Sequence, residues 1–458
     1  MKSNDKTISN NDSLSYNAIT QGVIWKTLIL YVLPLIMGTF FQQLYNTVDA
    51  VVVGRFVGKE ALSAVGGSSA MLVNVFVGFF VGVASGAGVV TAQYYGANKE
   101  TSVRKAVHTA MLLSIISGAL LTLIGYFMMP VFSVWMKTPP EVLNLTITYL
   151  RVYSLGMIPN LIYNMGAGIL RAVGDSKRPL IFLVVSCISN IILDYFFVLK
   201  MGLGVMGAAL ATILCQLISA VMVLYTLSKS SSSYRLTGGE LTLHKKQLLR
   251  IIAIGLPAGI QSLMYSLSNV FIQTAINEFG TDAVAAWAAY SKIDSVYWMI
   301  SSSFGIGVTT FVGQNYGAGL YKRVRQCIRQ SAVIMALITV FMTFILYKWG
   351  FLAFNLFATD ESVINTGTAM IRYLSPFYIT YTTIELLSGS LRGMGSSLKP
   401  MIISVFGICI LRVLWIFLAV PVWHRIETIE FSYPLTWVTT SILYLLYYFR
   451  FVSKRKIR

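Results

Sequence analysis

Two aspartates lie within long apolar stretches of the chain. Asp49 ends the run Leu44-Tyr45-Asn46-Thr47-Val48-Asp49, and Asp194 ends the run Asn190-Ile191-Ile192-Leu193-Asp194. At the centre of a lipid bilayer a bare carboxylate costs about 2.5–3.5 kcal/mol, so such a residue normally faces a helix bundle or a wet cavity. Two carboxylates close together in a low dielectric cannot both stay charged, and either one takes a proton or both share a small cation. The pair is therefore a candidate binding site for H⁺ or Na⁺.

The composition indicates that these stretches are membrane spans. Of the 458 residues, 56% are hydrophobic and only 11% are charged, and the mean hydropathy is +0.71. Soluble domains carry about 25% charged residues, so the chain is predicted to be an all-α integral membrane protein whose surroundings are the lipid bilayer. The net charge of +18 does not predict nucleic-acid binding, because the basic residues lie mostly in alternate short loops. The four cysteines are isolated and predict neither a disulfide nor a metal site.

Twelve apolar segments are each long enough to cross about 30 Å of hydrocarbon. They lie near 24–52, 61–92, 104–130, 142–170, 178–199, 206–228, 249–276, 283–311, 328–350, 363–390, 399–421 and 432–450. Most of the 35 Lys and Arg residues lie in one alternate set of loops and at the two ends, which predicts that both termini are cytoplasmic. Residues 1–22 are predicted to form a disordered cytoplasmic tail, and 451–458 a basic cytoplasmic tail.

The two halves of the chain repeat each other. Motifs that match at a nearly constant spacing are Leu33-Pro34 with Leu256-Pro257, Gln93-Tyr94-Tyr95-Gly96-Ala97 with Gln314-Asn315-Tyr316-Gly317-Ala318, and Leu170-Arg171-Ala172-Val173-Gly174 with Leu391-Arg392-Gly393-Met394-Gly395. Six spans is an even number, so both halves enter the membrane from the same side and form a parallel pseudo-two-fold repeat. We therefore predict an N-lobe over 23–228 and a C-lobe over 247–450. The connection 229–246 has the composition of a flexible cytoplasmic linker.

The repeated motifs, together with 44–49 and 190–194, resemble those of the multidrug and toxic compound extrusion (MATE) transporters. Within that family the chain looks most like the bacterial branch named after the DNA-damage-inducible protein F. The resemblance covers nearly everything from residue 24 to 450. It implies a V-shaped pair of six-helix lobes in the bacterial inner (cytoplasmic) membrane. It also implies export of small amphipathic organic compounds, often cationic, driven by inward H⁺ or Na⁺. No enzyme activity, no other cofactor and no oligomer is expected, so the protein is predicted to be a monomeric transporter.

The resemblance also implies which residues bind the coupling ion. In that branch an Asp of the first helix, an Asn of the fourth, an Asn-x-x-x-Asp pair of the fifth and a Thr of the sixth form a polar N-lobe pocket. Asp49, Asn164, Asn190, Asp194 and Thr212 match these positions one by one. Carboxylate, amide and hydroxyl oxygens suit a hard cation, so Na⁺ is possible at Asp49, Asn190, Asp194 and Thr212. The alternative is that these groups only hydrogen-bond the helices to one another.

The C-lobe lacks the acid pair, because Asp49 and Asp194 align with Ile272 and Trp415 in the repeat. Glu385 is the C-lobe candidate for drug binding or for a second cation, unless it pairs with a nearby base. Lys292 and Asp294 have apolar N-lobe counterparts, but they are only two residues apart and rank lower.

A central cavity is expected to hold aromatic and Met side chains, which adapt to varied amphipathic ligands. The predicted cavity residues are Glu385, Tyr45, Met71, Tyr163, Tyr265 and Tyr290. Pro34 and Pro257 are predicted hinges, because proline removes a helical hydrogen bond and bends the helix, although an architectural kink is an open alternative. Gly78, Gly82 and Gly86 recur every four residues and predict close helix packing.

Two other functions compete with export. A lipid-linked glycan flippase of the same superfamily has similar lobes and repeats, but such proteins usually have extra helices or a strongly cationic central cavity. A membrane-embedded enzyme would need a catalytic cluster, and His108, His244 and His424 lie apart near the ends of spans.

Overall fold

The computed structural model of the protein describes residues 17–136, 138–356 and 360–454. Apart from turns and the connection 230–244, these residues form helices, so the all-α prediction is confirmed. In chain order the helices are α1 Ile24–Phe56, α2 Lys59–Gly96, α3 Glu100–Trp135, α4 140–172, α5 Lys177–Lys200, α6 Gly204–Lys229, α7 Lys245–Asn277, α8 Thr281–Gly317, α9 Tyr321–Asn355, α10 361–393, α11 Leu398–Ala419 and α12 Ile426–Lys454. Within the described ranges, nine of them, all except α4, α10 and α12, are long and apolar enough to cross a membrane.

The outer faces of these helices carry large apolar side chains. On α3, for example, Leu120, Leu123 and Phe127 each expose more than half of their surface. A helix that is apolar on its outward face as well as its buried face is typical of a membrane span, because lipid replaces water around it.

The two halves meet along α2 and α7, where glycines remove the side chains between the helices. A Cβ atom on Gly82 would lie 2.5 Å from backbone atoms of Gly259, and one on Gly86 would lie 2.5 Å from the backbone nitrogen of Gly255. Only small residues allow two helix backbones to approach this closely. The close packing predicted from the glycine spacing is therefore confirmed.

The first helix of each half begins inside the other half. Leu28 and Tyr31 of α1 belong to a hydrophobic core formed mainly by C-lobe residues, and Tyr31 Oη donates a hydrogen bond of 3.3 Å to Thr310 Oγ1 on α8. In the same way Ile251 and Ile254 of α7 are buried in an N-lobe core. The predicted hinges, Pro34 and Pro257, follow these crossing points, and both helices are continuous through their proline.

The repeated motifs form the contact between the lobes at one end of the bundle, which we call the motif end (93–97, 170–174, 314–318 and 391–395). Gln93 Nε2 donates a hydrogen bond of 2.8 Å to the Gly393 carbonyl oxygen, and Gln314 Nε2 donates one of 2.6 Å to the Ala172 carbonyl oxygen. Each glutamine therefore satisfies a helix carbonyl at the end of α10 or α4 in the opposite lobe. This contact is reciprocal, as a two-fold repeat requires.

Residues 17–22, predicted as part of a disordered tail, instead include a short helix, Ala18–Gln21. The Asn17 side chain accepts a hydrogen bond from the Ile19 backbone N–H and so caps this helix, and Ile19 is 3% exposed. Burial of Ile19 between the lobes explains why the segment is ordered. The rest of the predicted tail, 1–16, and residues 455–458 of the C-terminal tail lie outside the described residues.

The connection between the lobes also differs from the predicted flexible linker. Leu236 is buried in an N-lobe core, and the Thr237 backbone N–H donates a hydrogen bond of 3.1 Å to His108 Nε2. Arg104 forms a salt bridge of 2.5 Å with Glu240. The Ser- and Gly-rich composition predicts flexibility and does not indicate these residues, which hold the connection against α3.

Candidate ion and substrate sites

Asp49 lies in the second half of α1 and faces the N-lobe interior. Its side chain is 7% exposed, and Thr212 on α6 donates a hydrogen bond of 3.3 Å from Oγ1 to Asp49 Oδ2. The same hydroxyl also contacts the Ala208 carbonyl oxygen, at 3.0 Å. Helices α1 and α6 therefore share a buried polar contact at the level of this carboxyl group.

Asp194 and Asn190, both on α5, face Asp49 at interaction range. Both are fully buried. Asp49 Oδ1, both Asp194 carboxyl oxygens and both Asn190 amide atoms have no hydrogen-bond partner among the described residues. Buried polar groups nearly always have a partner, so these unpaired atoms are candidates to hold a proton, an ion or an ordered water.

No salt bridge to Asp49 or Asp194 is present in the described part of the chain. Directly after Asp194 the backbone forms a π-helical turn, Tyr195–Lys200. Such turns are rare and occur often at functional sites. Carboxylate and amide oxygens that lack donors are suitable ligands for a hard cation, so the residues present fit Na⁺ as well as a shared proton.

Asn164, predicted to belong to this group, lies elsewhere. Its amide nitrogen donates hydrogen bonds to Asn160, at 2.9 Å to the carbonyl oxygen and 2.7 Å to Oδ1. The residue lines a cavity between the lobes. The structure thus brings together Asp49, Asn190, Asp194 and Thr212, which we call the N-lobe polar cluster, and leaves Asn164 outside it.

The inter-lobe cavity has a volume of about 440 Å³. Its charged lining residues are Glu385, Arg171 and Arg392, and Asn164 and Tyr265 also line it. Tyr381 Oη donates a hydrogen bond of 3.4 Å to Glu385 Oε2. Glu385 therefore faces the lobe interface and does not form a salt bridge with any described base.

A second cavity of about 590 Å³ lies mainly in the C-lobe, in the half away from the motif end, and Thr39 and Gln43 of α1 line one side of it. We call it the C-lobe cavity. It contains two charged side chains, Asp294 and Arg412. Seven of its lining residues are large aromatics: Tyr265, Trp287, Tyr290, Trp298, Tyr381, Tyr433 and Trp437.

Of the predicted cavity residues, Tyr265 and Tyr290 line the C-lobe cavity, and Glu385 and Tyr265 line the inter-lobe cavity. Tyr45, Met71 and Tyr163 line neither of these cavities. Tyr45 lies instead in electrostatic range of Asp49 and Tyr163, because it sits on the same half of α1 as the aspartate.

The sequence pattern favours neither charged residue of the C-lobe cavity as a site residue, since Asp294 ranks low and Arg412 is not selected. Asp294 accepts hydrogen bonds from Tyr378 Oη and from Trp298 Nε1, so both of its carboxyl oxygens have a donor. The signal for this site was present: Asp294 and Arg412 are charged residues inside apolar spans, where such residues are usually functional.

A family model described as MatE matches the chain twice, over residues 34–196 and 257–418. Together the matches cover more than two thirds of the 458 residues. The chain belongs to the MATE family. MATE proteins are membrane transporters, so the expectation of a transporter that is not an enzyme is confirmed. The double match also agrees with the predicted repeat, because its two parts have nearly the same spacing as the sequence motifs.

Similar proteins are known over almost the whole length of this transporter. "Probable multidrug resistance protein YoeA" of Bacillus subtilis is 27% identical over 443 residues, which cover 94% of this chain and 95% of the relative. "Multidrug export protein MepA" of Staphylococcus aureus is 24% identical over 404 residues, or 86% of this chain and 87% of the relative.

A solved structure described as the outward-facing conformation of a multidrug resistance MATE family transporter superimposes on this chain with a TM-score of 0.89. It is 22% identical and covers 98% of this chain and 100% of the other. The likeness shows a shared fold, and it confirms the predicted MATE-like, all-helical membrane architecture.

Proposed function

We propose that this MATE transporter exports amphipathic, often cationic organic compounds in exchange for inward H⁺ or Na⁺. The observation that carries the proposal is the N-lobe polar cluster, where two buried carboxyl groups face each other without donors for most of their oxygens. Relatives in Bacillus and Staphylococcus that are named for multidrug resistance and multidrug export support the substrate class.

The ion step follows from the charge of the cluster. Two carboxylates without a neighbouring base carry two negative charges in a low dielectric, so one H⁺ or one Na⁺ removes most of their repulsion. With Na⁺, oxygens of Asp49, Asp194 and Asn190 would hold the ion, and the Thr212 hydroxyl would remain bonded to Asp49. With H⁺, one carboxyl group would donate to the other. Because the cluster contains the residues that this branch is expected to use, we propose that the chain belongs to the branch named after the DNA-damage-inducible protein F.

The geometry of α1 offers a route from the ion to the lobes. The beginning of α1 packs in the C-lobe core through Leu28 and Tyr31, whereas Asp49 near its end belongs to the N-lobe polar cluster. Pro34 lies between these two regions and is the proposed hinge, with Pro257 as its counterpart in α7. A change of packing around Asp49 can therefore alter the contact between the lobes through one continuous helix.

The membrane arrangement that we propose has twelve crossings, with α4, α10 and α12 completing the set. Both termini and the motif end then face the cytoplasm of a bacterium, because most of the basic residues lie on that side. In this orientation the lobes are closed at the cytoplasmic face through Gln93 and Gln314, and both cavities lie on the outer side of that contact. The protein would act as a monomer by alternating access.

The driving force is adequate for concentrative export. One charge that moves inward through about 100 mV releases roughly 2.3 kcal/mol. Since ~1.4 kcal/mol corresponds to a factor of ten, this alone supports a substrate gradient of roughly fifty-fold.

The proposal is tested in proteoliposomes that contain the purified protein and a fluorescent organic cation. A pH gradient or a Na⁺ gradient is imposed, one at a time, with the wild type and with Asp49→Asn and Asp194→Asn. We expect one gradient to drive uptake or export by the wild type only. Wild-type transport in both variants would remove the N-lobe polar cluster as the coupling site.

One observation favours the alternative of a lipid-linked glycan flippase. The inter-lobe cavity contains two arginines, Arg171 and Arg392, against the single acid Glu385, and anionic lipid headgroups bind arginine. A comparison of dye export with the flipping of a labelled anionic lipid in the same proteoliposomes separates the two functions. Flipping without dye export would favour the flippase.

A further inference from the structure

The two glutamines that join the lobes at the motif end are each bonded through both atoms of their amide group. Gln314 and Gln93 donate from Nε2 to carbonyl oxygens of the opposite lobe. Asn17 Nδ2 donates a hydrogen bond of 3.0 Å to Gln314 Oε1, and Arg250 Nη2 donates one of 2.8 Å to Gln93 Oε1. Asn17 precedes α1 and Arg250 lies near the start of α7, so each donor comes from the beginning of a helix that crosses between the lobes.

Backbone groups at both ends of the first network fix the orientation of its amides. The Ile19 N–H can only donate, and it donates a hydrogen bond of 3.0 Å to Asn17 Oδ1. The Ala172 carbonyl oxygen can only accept, and it accepts from Gln314 Nε2. Asn17 must therefore present its amide nitrogen to Gln314, which must present its oxygen. With its amide turned over, Gln314 would place an oxygen against the Ala172 carbonyl oxygen and lose the bond between the lobes.

Asn17 is itself held in place, because residues 17–22, which we call the N-terminal strap, contact both lobes. Arg323 on α9 donates hydrogen bonds of 3.2 Å from Nε and 3.1 Å from Nη2 to the Ile19 carbonyl oxygen. The Ile19 side chain is buried in a core formed mainly by C-lobe residues. On the N-lobe side it lies against Gly174, where an added Cβ atom would come 3.3 Å from Ile19 Cδ1. The strap thus fixes Asn17 between the lobes.

We propose that Asn17 and Arg250 are positioning residues for the closed motif end, and that each holds a glutamine in the orientation that bonds to the opposite lobe. The lobes then separate at this end only after the two donors withdraw. This inference rests on the proposed function, since it names a contact that is released when the transporter opens toward the cytoplasm. The N-terminal strap leads into α1, which carries Asp49 in its second half. A shift of α1 on ion binding can therefore withdraw Asn17 from Gln314.

Single-molecule energy transfer between one dye on each lobe tests the proposal. Lys177 at the start of α5 and Lys399 at the start of α11 are exposed and follow motifs of the motif end in the two lobes. Each is replaced by cysteine for labelling, and the four native cysteines are buried. The labelled full-length protein is placed in lipid nanodiscs, and the ratio of open to closed dwell times at the motif end is recorded. We expect the closed state to prevail before any further substitution.

Asn17→Asp separates the two roles of the Asn17 side chain. A carboxylate still accepts from the Ile19 N–H and caps the short helix, but an ionised carboxylate cannot donate to Gln314. We expect the ratio of open to closed dwell times to rise about tenfold, because the orientation of Gln314 is no longer fixed. Thr20→Ala is the control in the same strap. The Thr20 hydroxyl bonds to the Asn17 carbonyl oxygen, so its loss should change the ratio less than about twofold.

A second background shows whether Asn17 acts through Gln314 or only stabilises the fold. In Gln314→Leu the bond to the opposite lobe is already absent, so adding Asn17→Asp should change the ratio less than about twofold. An equal effect of Asn17→Asp with and without Gln314 would overturn the positioning role.

The other glutamine provides an independent variant, which keeps the test intact if Asn17→Asp does not fold. Arg250→Met keeps an apolar stem but removes the donor to Gln93, and it should raise the ratio of open to closed dwell times about tenfold. Arg250→Lys keeps a donor and should recover part of the closed state. A change of less than about twofold in either Asn17→Asp or Arg250→Met would overturn the proposal.

The outcome is separable from the proposed function. If the ratio does not change in Asn17→Asp while Asp49→Asn abolishes gradient-driven export, the exporter is supported and the positioning role is overturned. If the ratio rises as expected but neither gradient drives export by the wild type, the positioning role is supported and the coupled exporter is overturned.

Discussion

The two lobes share one repeat, but their buried aspartates differ in the hydrogen-bond donors that surround them. In the N-lobe, Asp49 and Asp194 face each other, and Asp194 has no hydrogen-bond donor on either oxygen. In the C-lobe, Asp294 receives donors on both oxygens, from Tyr378 and Trp298. The positions do not correspond in the repeat, since Asp49 and Asp194 align with apolar or aromatic C-lobe residues.

The supply of donors decides what each acid can do. Donors that already point at a carboxylate stabilise its charge, so Asp294 is suited to attract a cationic ligand. Carboxyl groups that face each other without donors instead require a proton or a cation, and they release it when their separation changes. From this comparison we propose that the N-lobe couples the ion and that the C-lobe recognises the ligand.

The largest expected effect comes from removing one charge on each side of this comparison. Asp194→Asn should abolish gradient-driven export, because the amide cannot carry the exchanged proton or the charge that holds Na⁺. Asp294→Asn, the matched control, should leave the gradient dependence of transport unchanged and weaken binding of cationic dyes. Transport driven by an imposed gradient and dye binding are measured for both variants in the same proteoliposomes. If Asp294→Asn alone uncoupled transport, the roles of the lobes would be reversed.

The buried charges, the repeat and the close helix packing can all be predicted from the sequence, because the membrane limits which residues occur in a span. Charges inside apolar spans stand out because lipid excludes them, so Asp49 and Asp194 could be found by position alone. The repeat was visible because the Gln93 and Gln314 motifs make the same contact with opposite lobes. The glycine spacing on α2 was likewise informative, since close helix packing needs small residues in a fixed period.

Which cavity a side chain faces depends on how its helix is rotated about its axis. The sequence of a helix that is apolar on all sides does not show that rotation. Asn160 and Asn164 are one turn apart on the same face, and only the packing of α4 shows that Asn164 bonds to Asn160 and faces the inter-lobe cavity. The aromatic residues of the C-lobe cavity could not be selected from 26 Phe, 25 Tyr and 8 Trp residues for the same reason. The connection 229–246 differs from the predicted flexible linker because Leu236, one apolar residue in a Ser- and Gly-rich segment, packs in an N-lobe core.

A second prediction concerns a variant in which Asp294 loses a hydrogen-bond donor and so resembles the N-lobe acids, which lack donors. Tyr378→Phe removes the hydroxyl that donates to Asp294 and should weaken binding of a cationic dye about tenfold, because a hydrogen bond to a charged group contributes about 1.5–3 kcal/mol. Tyr381→Phe is the control, since Tyr381 lines the C-lobe cavity but its hydroxyl bonds to Glu385. Dye binding at a fixed pH is the measurement. Similar losses in both variants would show that Asp294 has no special role in binding.

A third prediction separates two asparagines of the N-lobe. Asn190→Ala should raise the Na⁺ or H⁺ concentration needed for half-maximal transport by about tenfold, because it removes an amide that faces Asp49 in the N-lobe polar cluster. Asn164→Ala should shift it less than about twofold, because Asn164 bonds to Asn160 and lies outside the cluster. Transport rates measured across a series of ion concentrations give both values. A comparable shift for Asn164→Ala would mean that the fourth helix contributes to the ion site after all.

The smallest effect is expected at Thr212, which supplies the only hydroxyl donor of the N-lobe polar cluster found among the described residues. Its bond to Asp49 is 3.3 Å long and is shared with the Ala208 carbonyl oxygen, so it contributes less than a full hydrogen bond. Thr212→Val keeps the shape and removes the hydroxyl, and we expect a shift of about two- to fivefold in the ion concentration for half-maximal transport. Thr212→Ser keeps the hydroxyl and should behave like the wild type. A larger loss in Thr212→Val than in Asn190→Ala would indicate that the hydroxyl oxygen binds the ion directly, which would favour Na⁺ over H⁺ because a proton shared between the carboxyl groups needs no such ligand.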